Sequence, residues 1–294
     1  MVTVTVGLPV YNAAPYLAEA IQSVINQSFT DWELVVVDDG STDESLAIAR
    51  SFTDPRIKLI ADGKNTGQSV RLNQISRMAT GKYIARMDAD DVMTVDRLQT
   101  QVHFMNEHSE VDLVSSYVYS IGTDNKVYGM RGTTHLPQTL GEAVSGFPIV
   151  HPAVLTRRSW SVANPYNEQI PRVQDYELWL RTWHTSRFFI INRPLLFYRE
   201  IGIPYKNKYL RSSAQIRHIL ETQYRTELGW RKTYQIKTKT VLKGALYVLF
   251  NLLNREDWLL KRRNRPLSSE DQSVAEKLLA KATNRPKIAS FSPL

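Results

Sequence analysis

Strand and helix signals alternate along the first 115 residues, and this alternation constrains the fold more than any other feature of the chain. Leu34–Val37 is a short, continuous apolar run typical of a buried parallel strand, whereas the apolar residues of 15–27 recur at helical spacing. The predicted strands are 3–9, 34–37, 57–61, 83–87 and 111–119, and the predicted helices are 15–27, 43–51, 68–79 and 96–107. Such repeated units predict an α/β fold, in which a mainly parallel, doubly wound sheet carries helices on both faces.

The pattern becomes weaker after residue 121. The sequence predicts a strand over 149–155, a helix over 175–184 and two short strands over 188–191 and 195–198. Beyond residue 205 the signals are helical, and the segment is rich in lysine and arginine. We therefore predict one domain over residues 1–200, with parts 1–120 and 121–200, followed by a basic helical extension over residues 201–294.

Charge is distributed unevenly along the chain. Residues 1–150 carry 11 basic and 18 acidic side chains, whereas residues 151–294 carry 26 basic and 11 acidic ones. A basic half suits an anionic partner such as a lipid surface or a phosphorylated substrate, and since no nucleic-acid recognition module is visible, we expect no nucleic-acid partner. The chain has no cysteine, which excludes disulfides and thiolate chemistry. It also lacks GxGxxG, Walker, GxSxG and HExxH motifs.

The strongest candidate site is the sequence Asp88-Ala89-Asp90-Asp91, directly after the predicted strand 83–87. Residues two apart at a strand end project to the same side, so Asp88 and Asp90 are expected to converge. Converging carboxylates repel each other unless a cation lies between them, and a hard divalent ion such as Mg²⁺ or Mn²⁺ suits them. The alternative is a turn followed by a helix, for which Asp96 is an N-cap candidate.

A second acidic pair, Asp38-Asp39, follows the apolar strand 34–37. The next residues, Gly40–Glu44, are explained equally well by a turn that leads into a helix and by a binding loop. A turn does not explain two adjacent carboxylates at the end of an apolar strand. One of them could accept a hydrogen bond from a ligand N–H, such as the imide of uracil.

Two residues later in the chain are candidates for acid–base chemistry. Asp175 and Trp179 share a face of the predicted helix at i, i+4, and an aromatic ring beside a carboxylate can raise its pKa, which suits a general base for a sugar hydroxyl. The alternative is a carboxylate at the N-terminal end of a helix that covers a Trp-Leu core. His151 is interpreted first as a packed core histidine and second as a ligand or base.

Segment 241–260 has a wide apolar helical face and one polar stripe. The stripe consists of Lys243, Tyr247, Asn251 and Asn254, and the basic residues 261–265 follow it. This pattern predicts either a helix lying on an anionic membrane or a helix packed on the preceding domain or on a second subunit. The aromatic and arginine side chains of the region are also candidates for binding an acceptor.

The order of these motifs resembles that of family 2 glycosyltransferases over about residues 2–200. The segments that carry the resemblance are Val6–Asn12, Ser23–Phe29, VVVDDGSTD at 35–43, Asn65–Gly67, Ala79–Ile84, Met87–Asp91 and Gln174–Arg181. The resemblance implies a GT-A fold with a Rossmann-like, mainly parallel sheet. It also implies a nucleotide-diphospho-sugar donor, a divalent metal and inversion at the anomeric carbon. A UDP-sugar is the first candidate donor, and a hydroxyl of a glycan or of a lipid-linked molecule is the candidate acceptor.

The resemblance also implies roles for individual residues. Asp88 and Asp90 would hold the metal, and Asp175 would be the catalytic base. Beside these roles, His151 and Trp179 are candidates for the acceptor side. The residues that it places at the nucleotide-sugar are Pro9, Tyr11, Asp38, Asp39, Asn65, Gly67, Asp88, Ala89 and Asp90. Gln174 stands where the family more usually has Glu, which removes a second carboxylate beside Asp175.

The sequence therefore predicts a metal-dependent, inverting glycosyltransferase of polysaccharide or cell-envelope biosynthesis. Its rivals are a metal-dependent nucleotidyltransferase, which would release pyrophosphate, and a non-catalytic nucleotide-sugar-binding protein. The first residues are typical of a strand rather than of a signal peptide, and no apolar run reaches the roughly 18 residues that span a bilayer. We expect a cytoplasmic protein that is peripheral at the inner face of the membrane, with a homodimer as the alternative use of the apolar face.

Overall fold

The first half of the chain forms the strand–helix alternation that the sequence predicts. The structure, a computed structural model, describes residues 2–203 and 205–284. The elements of this half are β1 (Val4–Val10), α1 (Ala14–Ile25), β2 (Trp32–Asp38), α2 (Ser45–Arg50), β3 (Ile57–Ala61), α3 (Gln68–Met78), β4 (Tyr83–Arg86), β5 (Val92–Met93) and α4 (Arg97–Glu107). Each strand and helix predicted up to residue 107 is present, and its ends agree within a few residues.

The following elements complete one mixed sheet. They are β6 (Leu113–Gly122), β7 (Val127–Arg131), α5 (Leu140–Ala143), β8 (Leu155–Arg157), α6 (Arg158–Ala163), α7 (Gln174–Thr182) and β9 (Phe188–Ile201). The strand order is β3-β2-β1-β4-β8-β6-β9-β5, with β7 beside β6. The first four strands are parallel, whereas β8 runs antiparallel to both β4 and β6. The sheet is mainly parallel as predicted, but the strand expected over 111–119 is separated from β4 by β8.

Both faces of the parallel strands β1, β2 and β4 are buried. Val4–Val10 and Trp32–Asp38 are buried at every position, as expected for strands with continuous apolar sequences. Leu34 and Val36 belong to the core that α1 covers, while Val35 and Val37 pack with Ile75 of α3 on the other face. This layered packing fixes the carboxyl ends of β1, β2 and β4 at one edge of the sheet, which is where ligands bind in such folds.

The prediction of a strand over residues 149–155 is wrong. His151–Ala153 form a 3₁₀ turn, and the strand itself, β8, is limited to Leu155–Arg157. Pro152 explains the difference, because proline has no N–H for a strand ladder and its fixed φ suits the first residues of a helical turn. The apolar residues of this segment are nevertheless buried, which produced the strand-like pattern.

The two short strands predicted over 188–191 and 195–198 form one long strand, β9. The polar sequence Asn192-Arg193-Pro194 suggested a break. β6 pairs with β9 on both sides of this sequence, and the register shifts between Ser116 and Val118 accommodate the extra residues as a bulge. The strand therefore continues through Pro194, although proline usually indicates the end of a strand in the sequence pattern.

Asp96 lies at the predicted N-cap position of α4, but its carboxylate does not cap the helix. One oxygen accepts a hydrogen bond from Thr94 Oγ1 at 2.9 Å, and the other forms an ion pair with Arg193 of β9. The side chain is thus committed to a contact with a strand that is distant in sequence, which local capping rules do not reveal.

The described residues after β9 form helices, as predicted, whereas residue 204 and residues 285–294 of the predicted extension lie outside the described residues. The elements after β9 are α8 (Lys206–Ile219), a π-helical turn (Leu220–Tyr224), α9 (Arg225–Leu228), α10 (Trp230–Leu252), α11 (Glu256–Lys261) and α12 (Ser269–Thr283). The last helix returns to the sheet, where Ala275, Leu279 and Ala282 pack in a cluster with β5, β6 and β9. Arg265 forms a backbone bridge with Met130 of β7. Among the residues that the structure describes, no helix is both long and apolar enough to cross a bilayer.

Candidate active site

A cavity of about 830 Å³ lies beside the carboxyl end of β4. Part of its lining comes from the loop after β4 and the start of α7, and another part from α8 and the segment 263–265. The charged and histidine side chains that line it are Arg86, Asp88, Arg131, His151, Arg172, Asp175, Lys208, Arg263 and Arg265. The basic helical region after residue 200 is therefore part of the same cavity as the acidic candidates.

The structure brings Asp88, Asp90 and Asp91 together. Each residue offers a carboxylate oxygen, and these three atoms lie within 4.8 Å of one another. Burial and, to a smaller extent, the neighbouring Asp88 together raise the pKa of Asp90 to about 6. Burial also raises the pKa of Asp91, and here Asp90 and Asp88 add to the effect. Three crowded carboxyl groups, with raised pKa values at Asp90 and Asp91, are a donor set that suits a hard divalent cation.

Arg199 of β9 fixes the position of this acidic loop. Its backbone N–H donates to Asp91 Oδ1 at 2.9 Å, and its Nε donates to the Asp90 carbonyl at 2.8 Å. The guanidinium is fully buried and also pairs with Glu19 of α1 at 3.0 Å. Asp91 is therefore held mainly for the fold of the loop, whereas Asp88 and Asp90 are partly exposed.

Asp88 is joined to α7 by a chain of side-chain contacts. It accepts hydrogen bonds from Arg86 Nη2 at 2.7 Å and from Gln68 Nε2 at 3.2 Å. Gln68 in turn accepts a hydrogen bond from Gln174 Nε2 at 2.7 Å. Gln174, at the position where Glu is more usual, thus supplies a neutral donor beside Asp175. Arg86 is buried, and its Nε and Nη1 have no hydrogen-bond partner within the described part of the chain.

Asp175 lies in the first turn of α7 and reaches the cavity with 37% of its side chain exposed. Its Oδ2 is 3.9 Å from Nδ1 of His151, and Nε2 of His151 is 2.8 Å from the hydroxyl of Tyr166. The surrounding protein raises the pKa of Asp175 chiefly by desolvation. Burial lowers the pKa of His151 well below its usual value, so this histidine is neutral. Asp175 thus has a more basic carboxylate than an ordinary Asp, next to an uncharged imidazole.

Trp179 packs behind His151. Its ring meets the imidazole edge-on at 5.8 Å and stacks near Trp160 at 6.2 Å, and only 2% of the residue is exposed. The predicted i, i+4 relation with Asp175 is present on α7, but burial accounts for the raised pKa of Asp175.

Helix α7 begins after Val173, which has φ +53, an uncommon left-handed conformation for a β-branched residue.

Apart from the loop after β4, the residues predicted at the nucleotide lie at the ends of β1 and β2 and in the loop before α3, and they do not line this cavity. Asp39 is buried, and its carboxylate accepts hydrogen bonds from the backbone of Thr66 at 2.8 Å and of Gly67 at 3.0 Å. It also pairs with Arg71 Nε at 2.8 Å. Asp38, equally buried, accepts hydrogen bonds from the backbone N–H groups of the two residues that follow Asp39. Both carboxylates hold loops in this structure.

The remaining predicted nucleotide-binding residues differ in exposure. Pro9 is buried within β1, opposite Val37, whereas Tyr11 beside it is 52% exposed. Asn65 is exposed, and Gly67 has φ +95, a conformation that favours glycine. Ala89 is buried between the two acids of the loop. Tyr11 and Asn65 are thus the accessible members of the set.

Three basic side chains, Lys208, Arg131 and Arg263, line one part of the cavity. The pKa of Lys208 on α8 is raised, first by Tyr198 and then by Asp88 and Asp90, against the effect of burial. Arg131 pairs with the buried Glu200 at 2.8 Å, and Arg263 lies 3.8 Å from the same carboxylate. Lys208 is therefore a cation within electrostatic reach of the acidic loop.

Sequence reasoning missed several polar and charged residues that build the site, namely Arg71, Arg86, Tyr166, Arg199 and Lys208. Arg86 and Arg199 carried a signal, because each interrupts an apolar strand run with a charge that must find a partner inside the protein. The other three sit in loops or helices whose partners come from distant parts of the chain, and no local signal marks them.

The model of the family described as glycosyl transferase family 2 matches residues 5–161. The chain belongs to this family. The matched region includes the loop after β4 and the strands whose carboxyl ends form the edge of the sheet described above. Glycosyl transfer, rather than nucleotidyl transfer or binding alone, is the activity of the class.

Particular relatives agree with this assignment. EpsE of Bacillus subtilis, assigned to the glycosyltransferases, is 33% identical over 214 residues, which are 70% of this chain and 76% of EpsE. WfgD of Escherichia coli, named as a UDP-Glc:alpha-D-GlcNAc-diphosphoundecaprenol beta-1,3-glucosyltransferase, is 28% identical over 189 residues, or 64% of this chain and 73% of WfgD. Both relatives carry names of glycosyltransferases, and the name of WfgD includes a lipid-linked acceptor.

A solved structure shares the fold. The mannosyltransferase PcManGT of Pyrobaculum calidifontis, in complex with GDP-Man and Mn²⁺, superposes with a TM-score of 0.57 at 18% identity, over 96% of this chain and 86% of PcManGT. At this identity the likeness concerns the fold, and it confirms the GT-A architecture that the sequence predicts.

Proposed function

We propose that this glycosyltransferase is inverting and metal-dependent, and that it moves a sugar from a nucleotide-diphospho-sugar to a hydroxyl of a glycan on a lipid carrier. The observation that carries the proposal is the placement of Asp88 and Asp175 on one cavity, with Asp90 beside Asp88. One site thus offers carboxylates for a cation and, on a different element, a carboxylate of raised pKa for a proton.

Asp88 and Asp90 are the proposed holders of Mn²⁺ or Mg²⁺. Their converging oxygens and the raised pKa of Asp90 fit a divalent cation, and the related fold of PcManGT was solved with Mn²⁺. When bound, the metal would neutralise charge on the departing nucleoside diphosphate. Arg86 orients Asp88 through its 2.7 Å ion pair, and Arg199 holds the loop.

Asp175 is the proposed general base. It would accept the proton of the acceptor hydroxyl as that oxygen attacks the anomeric carbon from the side opposite the leaving diphosphate, which inverts the configuration. His151 is placed to position the carboxylate, since it lies 3.9 Å from Oδ2 and is itself fixed by the Tyr166 hydroxyl. Trp179 acts behind His151 by packing, and both lie on the acceptor side.

The nucleotide is proposed to bind at the ends of β1 and β2. Tyr11 and Asn65 are accessible for contact there, while Asp38, Asp39 and Gly67 shape the loops. Pro9 and Ala89 would complete the surface through the backbone. In this organisation residues 1–120 form the nucleotide-sugar-binding part and residues 121–200 the acceptor-side part, while described residues of the basic region after residue 200, such as Lys208 and Arg263, line the cavity.

The proposed acceptor is lipid-linked, and the protein would work in the cytoplasm at the inner face of a membrane. Support comes from the diphosphoundecaprenol acceptor in the name of WfgD and from the basic lining of the cavity by Lys208, Arg131 and Arg263. These cations suit the phosphate groups of a donor or of an acceptor carrier.

A donor panel tests the function. Thermal unfolding measured with UDP-, GDP- and dTDP-sugars, each with and without Mn²⁺, is expected to show stabilisation by one donor class that depends on the metal. Turnover of that donor is expected to release a nucleoside diphosphate. Release of pyrophosphate from a nucleoside triphosphate, or donor binding without any turnover, would contradict the proposal.

The cavity lining predicts a role for Lys208. The Lys208→Gln variant is expected to raise the KM for the nucleotide-sugar by about tenfold, because a charge-assisted contact with phosphate is worth roughly 1.5–3 kcal/mol. Lys206→Gln, at a half-buried position of the same helix that does not line the cavity, is the matched control and should leave KM unchanged. Steady-state kinetics at varied donor concentration make the comparison, and equal KM values for the two variants would remove Lys208 from the substrate site.

A further inference from the structure

Helix α10 presents its apolar face outward. Tyr247, a member of the polar stripe in the sequence pattern, is buried against Tyr205 and Tyr209. The exposed fractions on the other side are 61% for Leu242, 49% for Leu246, 50% for Leu249, 75% for Leu252 and 57% for Leu253. These five leucines form the outer face. Such a contiguous group of large apolar side chains in water marks a surface that meets another apolar phase.

The charges around the outer face have one sign. The sequence of α10 contains no Asp or Glu, and Lys239 lies three and seven residues before Leu242 and Leu246, on the same side of the helix. Beyond the helix, Trp258 is 47% exposed and stacks on Phe250 at 5.2 Å, while the guanidinium of Arg262 lies 4.7 Å above its ring. The patch thus combines leucines, an amphipathic tryptophan and cations.

The two acidic residues of this region point inward. Glu256 accepts hydrogen bonds from the Tyr205 backbone at 2.7 Å and from Asn251 at 3.1 Å. Asp257 accepts one from the Gly202 backbone at 3.3 Å. Both acids are used to tie α11 to the rest of the protein, so they do not offset the basic character of the outer surface.

We infer that the outer face, with Lys239, Trp258 and Arg262 at its border, docks on the surface of an anionic lipid bilayer, with the axis of α10 parallel to it. Leucines would enter the acyl boundary, tryptophan would lie at the headgroup level, and the cations would meet anionic headgroups. A second copy of the chain fits less well, because a two-fold interface on this face would place its bordering cations, Lys239 and Arg262, against the equally basic border of the other copy.

The inference deepens the proposed function by naming the surface that meets the lipid. The opposite side of α10 contributes Thr240 to the cavity, and α8, which packs on α10, contributes Lys208 and Tyr209. Docking through the outer face would therefore keep the cavity near the bilayer, within reach of an acceptor on a lipid carrier.

Vesicle flotation of the full chain tests the inference. The wild-type protein is expected to float with vesicles of phosphatidylcholine that contain about 30% phosphatidylglycerol, and less with phosphatidylcholine alone or at high salt. The Leu246→Glu/Leu249→Glu variant should bind the anionic vesicles at least about tenfold more weakly. Val162→Glu/Val274→Glu is the matched control, since both valines are 49% exposed and lie on other helices, and it should float like the wild type.

A second variant protects the test against a folding defect. Lys239→Glu/Arg262→Glu leaves the leucines in place and should lose binding to anionic vesicles while keeping the melting temperature of the wild type. Failure of the wild type to float, or equal floating of all variants, would overturn the inference. So would a stable dimer in sedimentation that the leucine variant dissociates. The assay contains no donor, so its outcome is independent of whether sugar transfer is confirmed.

Discussion

The Asp175→Asn variant is expected to lose about 10²–10⁴-fold in kcat, while its affinity for the nucleotide-sugar stays near that of the wild type. The carboxylate lies in the cavity on α7, an element separate from the metal-holding loop, so its removal leaves the donor contacts in place. The amide is nearly the same size and can keep the contact with His151, but it cannot take the proton of the acceptor hydroxyl. Single-turnover transfer and donor titration, measured on the same preparation, separate the two effects.

The pH dependence of kcat is a second test of Asp175, and its expected direction follows from the raised pKa. A general base must be ionised, and burial raises the pKa of Asp175, so kcat of the wild type should fall as the pH is lowered through a value above the usual 3.8. The residual activity of Asp175→Asn should lack this acidic limb. Glu177→Gln is the control on the same helix, because Glu177 is buried in an ion pair with Arg181 at 2.8 Å and does not line the cavity. A near-normal kcat for Asp175→Asn would show that another group is the base.

The elements up to residue 107 follow from the sequence because their signals are local. The apolar run 34–37 and the helical spacing of 15–27 each report on residues that touch within one strand or one helix. The place of β8 does not follow in this way, since its pairing with β4 and β6 depends on residues separated by more than 40 positions. The convergence of Asp88 and Asp90 was predictable, because it depends on their spacing along one short segment. The hydrogen bonds by which Arg199 holds this loop were not predictable, because Arg199 is distant in sequence.

Helix α10 shows a different limit of pattern reading. Periodicity divided the helix correctly into an apolar face and a stripe with Tyr247, but it does not tell which side meets the protein. Gly244 was the available signal. A Cβ at that position would lie 3.1 Å from Leu210 Cδ2, so the glycine marks the side on which α10 approaches α8 closely. Gly244 is next to the polar stripe in sequence, so the stripe side of α10 faces α8. The apolar face is therefore the side that points away from the protein.

The Asp90→Ala variant is expected to bind the nucleoside diphosphate of the donor about 10–100-fold more weakly in the presence of Mn²⁺, and to show little change without the metal. Removing one of two converging carboxylates lowers the affinity for the cation, and with it the part of nucleotide binding that the cation supplies. It also relieves the repulsion between Asp88 and Asp90, so the metal-free variant should unfold at a temperature no lower than that of the wild type.

The matched control for Asp90→Ala is Asp96→Ala. Asp96 lies a few residues further along the same segment, is partly exposed and pairs with Arg193, and it does not belong to the acidic cluster. Calorimetric titration of UDP or GDP, with and without Mn²⁺, should give Asp96→Ala the metal dependence of the wild type and Asp90→Ala almost none. If both variants kept the full effect of Mn²⁺, the metal would be held elsewhere, and the pairing of Asp88 with Arg86 would then be the main role of the loop.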